Sequence, residues 1–488
     1  MKSRILFLSI FMLVFAVFSA FAQTAINISA TQAVKTGFAD AASFGFSPEA
    51  TGIENTKALQ KAVDQTGTIV VSQAGTYKMA GTVYVGSNTT LSFGNNVFLK
   101  KVNEKGTFTH VILNKGALTK TYDQNIVIDG LQIVVNGMDK QYTEVFGLRG
   151  QLAFFYVKDL KITRFRCMDL MKTQFCIHVC TFEDLIVDDV IIKGEKDGVH
   201  LGPGKRFRIS NGVFQTFDDA VALNAHDYAS SNPELGWIEN GIVENCHDLT
   251  AENTTGYFCR ILAGAWIDWK PGMEVQQSDA VVSEGRIYRV QAKPDGTIFK
   301  SNTKPTHETG KKELDGITWV MVQKDTIHTC GVRNVIFRNL FLEKPRIGLS
   351  IHFDNDKFSR SYYPGAQTPI QEQLTFDNVR VLHDKAMPFL NIGTPVDVVT
   401  ITNSSIRNNK INVYTNKALT DYLKTNINIF GCVFNHNGHM TLISNGVDGK
   451  EIVLKTFGNI ELNKGFSATL TPGNGKITVD SDLTGLKK

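Results

Sequence analysis

Residues 196–228 read KDGVHLGPGKRFRISNGVFQTFDDAVALNAHDY. Three aspartates, Asp197, Asp218 and Asp219, fall in this stretch, with His200 and His226 beside them. Asp197 and Asp218 are 21 residues apart, so a chain that coils with such a period sets them on neighbouring turns of one face.

The flanking sequence shows that period. Segments of one pattern, apolar-x-apolar-x-turn-apolar, start at Ile126, Leu160, Leu185, Phe207, Gly241, Val335, Leu374, Val399 and Ile427. Their fifth residues are Gly130, Arg164, Asp189, Asn211, Asn245, Asn339, Asn378, Asn403 and Gly431. All but Arg164 are Gly, Asn or Asp, the residues that best tolerate a left-handed backbone, so each repeat is expected to bend at the same place. Where nothing is inserted, repeats start 22 to 28 residues apart. That length holds three short strands with their turns and leaves no room for a helix in each coil. The expected fold is all-β: a right-handed parallel β-helix whose Ile, Val, Leu and Phe form inward ladders.

Outward from the repeats, Asn55 is a candidate cap for a short helix over 56–63 that would cover the N-terminal end of the coil. Residues 263–328 interrupt the repeat with a turn-rich stretch containing Trp266, Trp269 and Trp319, read as a small all-β insert. The tryptophans serve either as the core of that module or as faces for sugar rings. After residue 440 the alternation loosens, with hairpin-like turns at Asp448-Gly449 and Gly473-Asn474-Gly475. The chain is thus expected to divide into a signal peptide (1–22), a first part of the β-helix (23–262), the insert (263–328), a second part (329–440) and a C-terminal β cap (441–488).

Composition narrows the partners. With 51 Lys and Arg against 47 Asp and Glu, nothing favours nucleic acid. Lys2 and Arg4, an apolar run from Ile5 to Phe18 and the small residues Ala20 and Ala22 read as a secretory signal cleaved after Ala22, which predicts a secreted or periplasmic protein. No later segment is long and apolar enough to span a membrane. The seven cysteines lie mostly in apolar runs without CxxC spacing, as expected of buried thiols.

Crowded carboxyls cannot all ionise readily, so one of the three aspartates keeps a proton and serves as general acid while another stays charged as base. Two such groups are what glycosidic hydrolysis needs. Adjacent residues in an ideal strand face opposite ways, so Asp218 and Asp219 share a site only at a strand end or bulge.

The N-terminal stretch, the coil repeat, and Lys196-Asp197-Gly198 followed by Asp218-Asp219 resemble the polygalacturonase family, glycoside hydrolase family 28, within the wider pectate-lyase-like β-helix superfamily. The resemblance covers residues 37–262 and 329–440. It implies inverting hydrolysis of a polysaccharide or oligosaccharide, without a cofactor or metal, by the matching positions Asp197, Asp218 and Asp219. The family's Asn-Thr-Asp reads Glu195-Lys196-Asp197 here. Its Gly-His-Gly falls at Gly256-Tyr257-Phe258, without histidine, and Arg260-Ile261-Leu262 is the nearest approximation to its Arg-Ile-Lys. His200, His226, Tyr228, Arg260 and His352 are the candidates to bind substrate instead, with Asp354 and Asp356 beside the last. The insert resembles small β modules of phage tail fibres and carbohydrate-binding modules. Two rival readings remain open: a lyase or epimerase that uses calcium on the acidic cluster, and a non-catalytic glycan-binding protein that works through the insert.

Overall fold

A computed structural model describes residues 37–139, 144–252, 254–414 and 424–487. The expected signal peptide lies outside them. The chain winds into a right-handed parallel β-helix in which nearly every strand pairs with the strand one coil before and one coil after. The repeat read from the sequence is the pairing register itself. Ile126, Leu160, Leu185, Phe207, Gly241, Val335, Leu374, Val399 and Ile427 stack one on another, and Leu454 follows. Two residues on, Ile128, Ile162, Val187, Ile209, Val243, Phe337, Phe376, Ile401 and Ile429 form an inward ladder with no exposed surface. Burying each such side chain contributes about 1.5–3 kcal/mol, which makes these ladders the main source of stability.

The bend positions behave as their chemistry requires. Every fifth residue of the repeat has positive φ, from 50° at Asn378 to 76° at Gly130. Arg164, the exception in type, also adopts it, and its guanidinium holds Asp129 on the preceding coil at 2.8 Å. The asparagines bond along the stack: Asn245 to Asn211 at 3.2 Å, Asn339 to Asn245 at 2.9 Å and Asn378 to Asn339 at 2.8 Å. A second column of bends, not expected from the sequence, lies five residues earlier at Asp159, Asp184, Arg206, Asn240, Asn334 and Gln373. Its mixed residue types hid it.

The helix over the N-terminal end is Gly52–Val63, and its cap is Thr51 rather than Asn55. Thr51 and Glu54 exchange side-chain-to-backbone bonds in a capping box. Asn55 is buried and bonds the backbone of Ser47 instead. Gln60 pairs with both the N–H and the carbonyl of Tyr84, so the helix satisfies backbone groups at the end of the coil.

Within 263–328 the strands form a separate five-stranded sheet, in the order 267–268, 280–283, 286–291, 317–323 and 311–314, beside an antiparallel pair of 273–275 with 299–301. Trp319 is buried in this module with Tyr288 and Val290, and Trp266 is buried where the module meets the coil. Trp269 is half-buried and donates its indole N–H to Ser301 at 2.8 Å. The tryptophans therefore build the module and do not form an open platform.

The C-terminal strands depart from the expected hairpins. Glu451–Phe457 stacks parallel on Lys424–Phe430, and Lys476–Asp480 stacks parallel on Glu451–Phe457. The turns at 448–449 and 473–475 are corners of further coils, because each strand's hydrogen bonds go to the coil below and not to its sequence neighbour. All seven cysteines are free and buried. No helix among the described residues is long and apolar enough to cross a membrane.

Candidate active site

One flank of the coil is a sheet of short strands: Val199–Leu201, Val221–Asn224, Cys259–Leu262, Leu349–His352, Leu390–Ile392 and Ile411–Val413. Alternate residues such as Val199, Leu201, Val221 and Leu223 point into the core. The residues between them stack outward as His178, His200, Ala222, Arg260, Ser350, Asn391 and Asn412. The three aspartates sit in the turns that feed this sheet. The coil takes 22 residues here, with Val199 on Val221, so Asp219 and not Asp218 lies in line with Asp197. Gly198 accordingly donates its N–H to the Asp219 carbonyl at 2.9 Å. Asp218 and Asp219 both reach the site because they lie in the turn between the strands Gly204–Thr216 and Val221–Asn224. Gly256, on the next coil, packs against that turn so closely that a Cβ would come within 2.4 Å of the Asp218 carbonyl carbon.

Asp197, Asp218 and Asp219 each offer a carboxylate oxygen within 4.8 Å of the others. Asp197 and Asp219 are buried, and Asp218 is the most open, with its side chain 24% exposed. Lys196 bonds Asp218 and lies 3.7 Å from Asp197. His200 bonds Asp197 at 2.8 Å through Nδ1 and faces Asp227 at 3.3 Å through Nε2. Asn224 donates to Asp227 at 2.7 Å. Arg260 lies between Asp354 at 2.7 Å and Asp227 at 3.7 Å. Tyr257 donates its backbone N–H to Asp219 at 2.8 Å, and its ring lies 5.5 Å from that of His352.

This alternation of charges separates the three carboxyls. Burial raises the Asp219 carboxyl well above the usual range, with Asp218 and Asp197 adding to the shift. Burial and then the Asp197 charge also raise Asp218, against the pull of Lys196. Burial opposes ionisation of Asp197 too, but Lys196 and His200 outweigh it and hold this carboxyl below its ordinary value. His200 is raised: burial works against the imidazolium, and Asp197 and Asp227 more than compensate. Asp197 is thus the carboxyl most readily ionised, while Asp218 and Asp219 are both shifted toward the protonated form. The oxygens of the trio are also close enough to hold a cation. The ammonium of Lys196 already supplies positive charge there, which weakens the case for a metal ion.

The structure redistributes the candidate binding residues. Tyr228, Arg260 and His352 stand together around Asp354, with Tyr228 within cation–π range of Arg260. His200 has no exposed surface, so it acts on Asp197 and does not touch substrate. His226 is also buried. It points toward Trp266 of the insert, and burial, followed by Arg289, lowers it far below the usual histidine range. It is a neutral packing residue between coil and insert, because the chain turns away from the groove directly after Asn224.

Lys196, Asn224, Tyr257 and Phe175 were not among the expected site residues. Phe175 stacks on His200 with ring centroids 4.0 Å apart, and the Arg149 guanidinium lies over the Phe175 ring at 4.8 Å. Asp227 was signalled only by its adjacency to His226. Arg149 and Phe175 gave no signal, because the coils before residue 196 carry no acidic motif that marks the flank. The insert braces the loop bearing Asp227: Arg289 donates to the carbonyls of Asp227 and Asn232, and Gln323 bonds both the N–H and the carbonyl of Leu235.

No family model matches the sequence, and no curated protein matches it. Solved structures do. A doubly substituted tailspike protein of the E. coli bacteriophage HK620 is similar with a TM-score of 0.50 at 11% identity, over 93% of this chain and 78% of that one. The catalytic unit of a thermostable GH87 α-1,3-glucanase from Streptomyces thermodiastaticus has a TM-score of 0.49 at 11% identity, over 93% and 69%. A hyperthermoactive exopolygalacturonase from Thermotoga maritima has a TM-score of 0.40 at 12% identity, over 91% and 92%. What this chain has in common with such proteins, at these identities, is the right-handed parallel β-helix.

Proposed function

We propose that the protein is an exported glycoside hydrolase that cleaves a polysaccharide or oligosaccharide lying along the flank sheet. The observation that carries this reading is the convergence of Asp197, Asp218 and Asp219 within 4.8 Å, in surroundings that favour ionisation of the first and oppose it in the other two. Asp218 is the general acid, because of the two carboxyls raised above the ordinary range it is the one open to solvent. Asp197, with Asp219, activates and orients the attacking water; the resemblance to family 28, and not the spacing of the carboxyls, is what implies inversion. His200, fixed between Asp197 and Asp227, keeps Asp197 charged through the cycle. The N-terminal signal carries the protein out of the cytoplasm, where a polymeric substrate is met.

The test is incubation of the purified protein with a panel of polysaccharides, reading reducing ends, ultraviolet absorbance and the anomer first released by NMR. New reducing ends without double bonds, abolished by Asp218→Asn in a protein that still folds, are expected. Unsaturated products that vanish on calcium chelation identify a lyase and refute the proposal. Binding without cleavage points to the glycan-binding alternative.

A further inference from the structure

We infer that Arg346, with Lys344, is a positioning residue for the site: from two coils away it fixes the turn from which the Asp218 and Asp219 carboxyls are aimed. Its part in catalysis rests on the hydrolase reading above. The turns that lead into Val221, Cys259 and Leu349 are one corner repeated on successive coils, since these three residues stack on one another. Asp218 and Asp219 lie in the first of these corners, and Lys344-Pro345-Arg346 lies in the third, between the strands Val332–Leu342 and Leu349–His352. The two cationic side chains reach back past the middle corner to the first, across 128 residues of sequence.

Arg346 grips the Asp248 carboxylate as a fork, through Nε at 3.1 Å and Nη2 at 2.8 Å. That grip aims its remaining nitrogen, and Nη1 donates to the Asp218 carbonyl at 2.8 Å. Lys344 donates to the Thr216 carbonyl and stands 3.7 Å from Asp248. Between these two points the Phe217 carbonyl accepts from the Thr254 hydroxyl at 3.0 Å and from the N–H groups of Thr255 and Gly256 at 2.9 and 3.0 Å. The Asp219 carbonyl accepts from Gly198 at 2.9 Å. Four consecutive carbonyls are thus held from other coils, which fixes the peptide planes of the turn and the direction in which both aspartate side chains leave it. Lys344, Arg346 and Asp248 are all buried, so the cluster acts through the turn and does not touch substrate. Two buried cations on one carboxylate are a costly way to fill a corner. Burial, followed by Arg346, pushes the Lys344 ammonium down to about 8, against the pull of Asp248 and Asp219. Apolar side chains of like volume would pack the corner without that cost. What they lack is donors that hold in place the backbone of two site carboxyls.

The experiment uses the full-length Arg346→Met protein, which keeps the aliphatic stem and loses the donors. Crystal structures of wild type and variant read the turn itself. Initial rates read the consequence on two substrates, an oligosaccharide cleaved in the panel above and a nitrophenyl glycoside of the same sugar. The Asp218 carboxyl is expected to move by about 1 Å while the flank strands stay in place, a misplacement that costs about 10²-fold in kcat on the oligosaccharide, with KM changed less than about twofold. The nitrophenyl glycoside, which leaves without a proton, should lose less than about tenfold. Ile429→Ala, a core variant of lowered stability far from the site, should keep both rates and so separates misplacement from general loosening. If Arg346→Met strands the Asp248 charge and does not fold, Arg346→Met combined with Asp248→Leu removes the pair together and is read in the same way. An Asp218 carboxyl left in place, an unchanged kcat in an active enzyme, equal losses on both substrates, or failure of both variants to fold overturns the inference. The two readings fail separately. A wild type that cleaves no member of the panel refutes the hydrolase, and the crystal structures then decide alone whether Arg346 holds the turn.

Discussion

Replacing Asp218 by Asn removes the proton donor while keeping the side chain's volume. Positioned general acids contribute about 10²–10⁴ in rate, so cleavage of a natural glycosidic bond should fall by about a thousandfold, or about 4 kcal/mol of transition-state stabilisation. Stability should hardly move. Lys196 loses its bond to Asp218, but its side chain is 22% exposed and Asp197 stands 3.7 Å away to take the charge. The contact is thus partly open to solvent, so its loss costs at most about 1 kcal/mol. The assay compares two leaving groups on the same sugar. An alkoxide needs the proton and a nitrophenolate leaves without it, so an aryl glycoside should lose less than about tenfold. Unchanged cleavage of the natural substrate would refute the assignment of Asp218. An equal loss on both substrates would show that it acts in binding or water activation.

Other expectations follow from the same geometry. His200→Asn removes one of the two groups, after Lys196, that keep Asp197 ionised, so the acidic limb of the pH–rate profile should move to higher pH, and breaking a buried pair should cost about 3–5 kcal/mol, read as a lower denaturation midpoint. In the wild type, His200, whose value is raised by folding, stabilises fully below its unfolded value of about 6.5 and loses that contribution as pH rises through the folded value. Asp227, lowered by Arg260 and His200 against the effect of burial, stabilises above its unfolded value of about 3.9 and loses that contribution as pH falls through its folded value. Melting temperatures measured across this range should show stability declining at both ends. Arg289→Met unties the insert from the carbonyls of Asp227 and Asn232 and should lower kcat more than it raises KM, with about 1.5–3 kcal/mol lost per broken bond; unchanged kcat would show that the insert does not position the loop. Asn339→Val, at φ 53°, should cost about 1–2 kcal/mol in backbone strain beyond the ladder bonds to Asn245 and Asn378, and Asn339→Gly should lose only the bonds, as denaturant midpoints would report.

The sequence by itself determined the coil. Its repeat gave both the strand register and the column of left-handed residues from Gly130 to Gly431, because stacking a β-helix imposes the same inward position and the same corner on every turn. It also singled out the aspartates, since only acids spaced near the coil length invite that reading. Only the tertiary structure decided how they work. Whether the period is 21 or 22 residues decides which aspartate lies under Asp197, and the 22-residue coil chose Asp219. The demotion of His226 to packing, the burial of His200 between two carboxylates, and the commitment of Arg260 to Asp354, 94 residues away, depend on contacts between coils and insert that no local pattern encodes. Charges in a partly buried site take their protonation from neighbours in space, and in a coiled chain those neighbours lie one or more turns away in sequence.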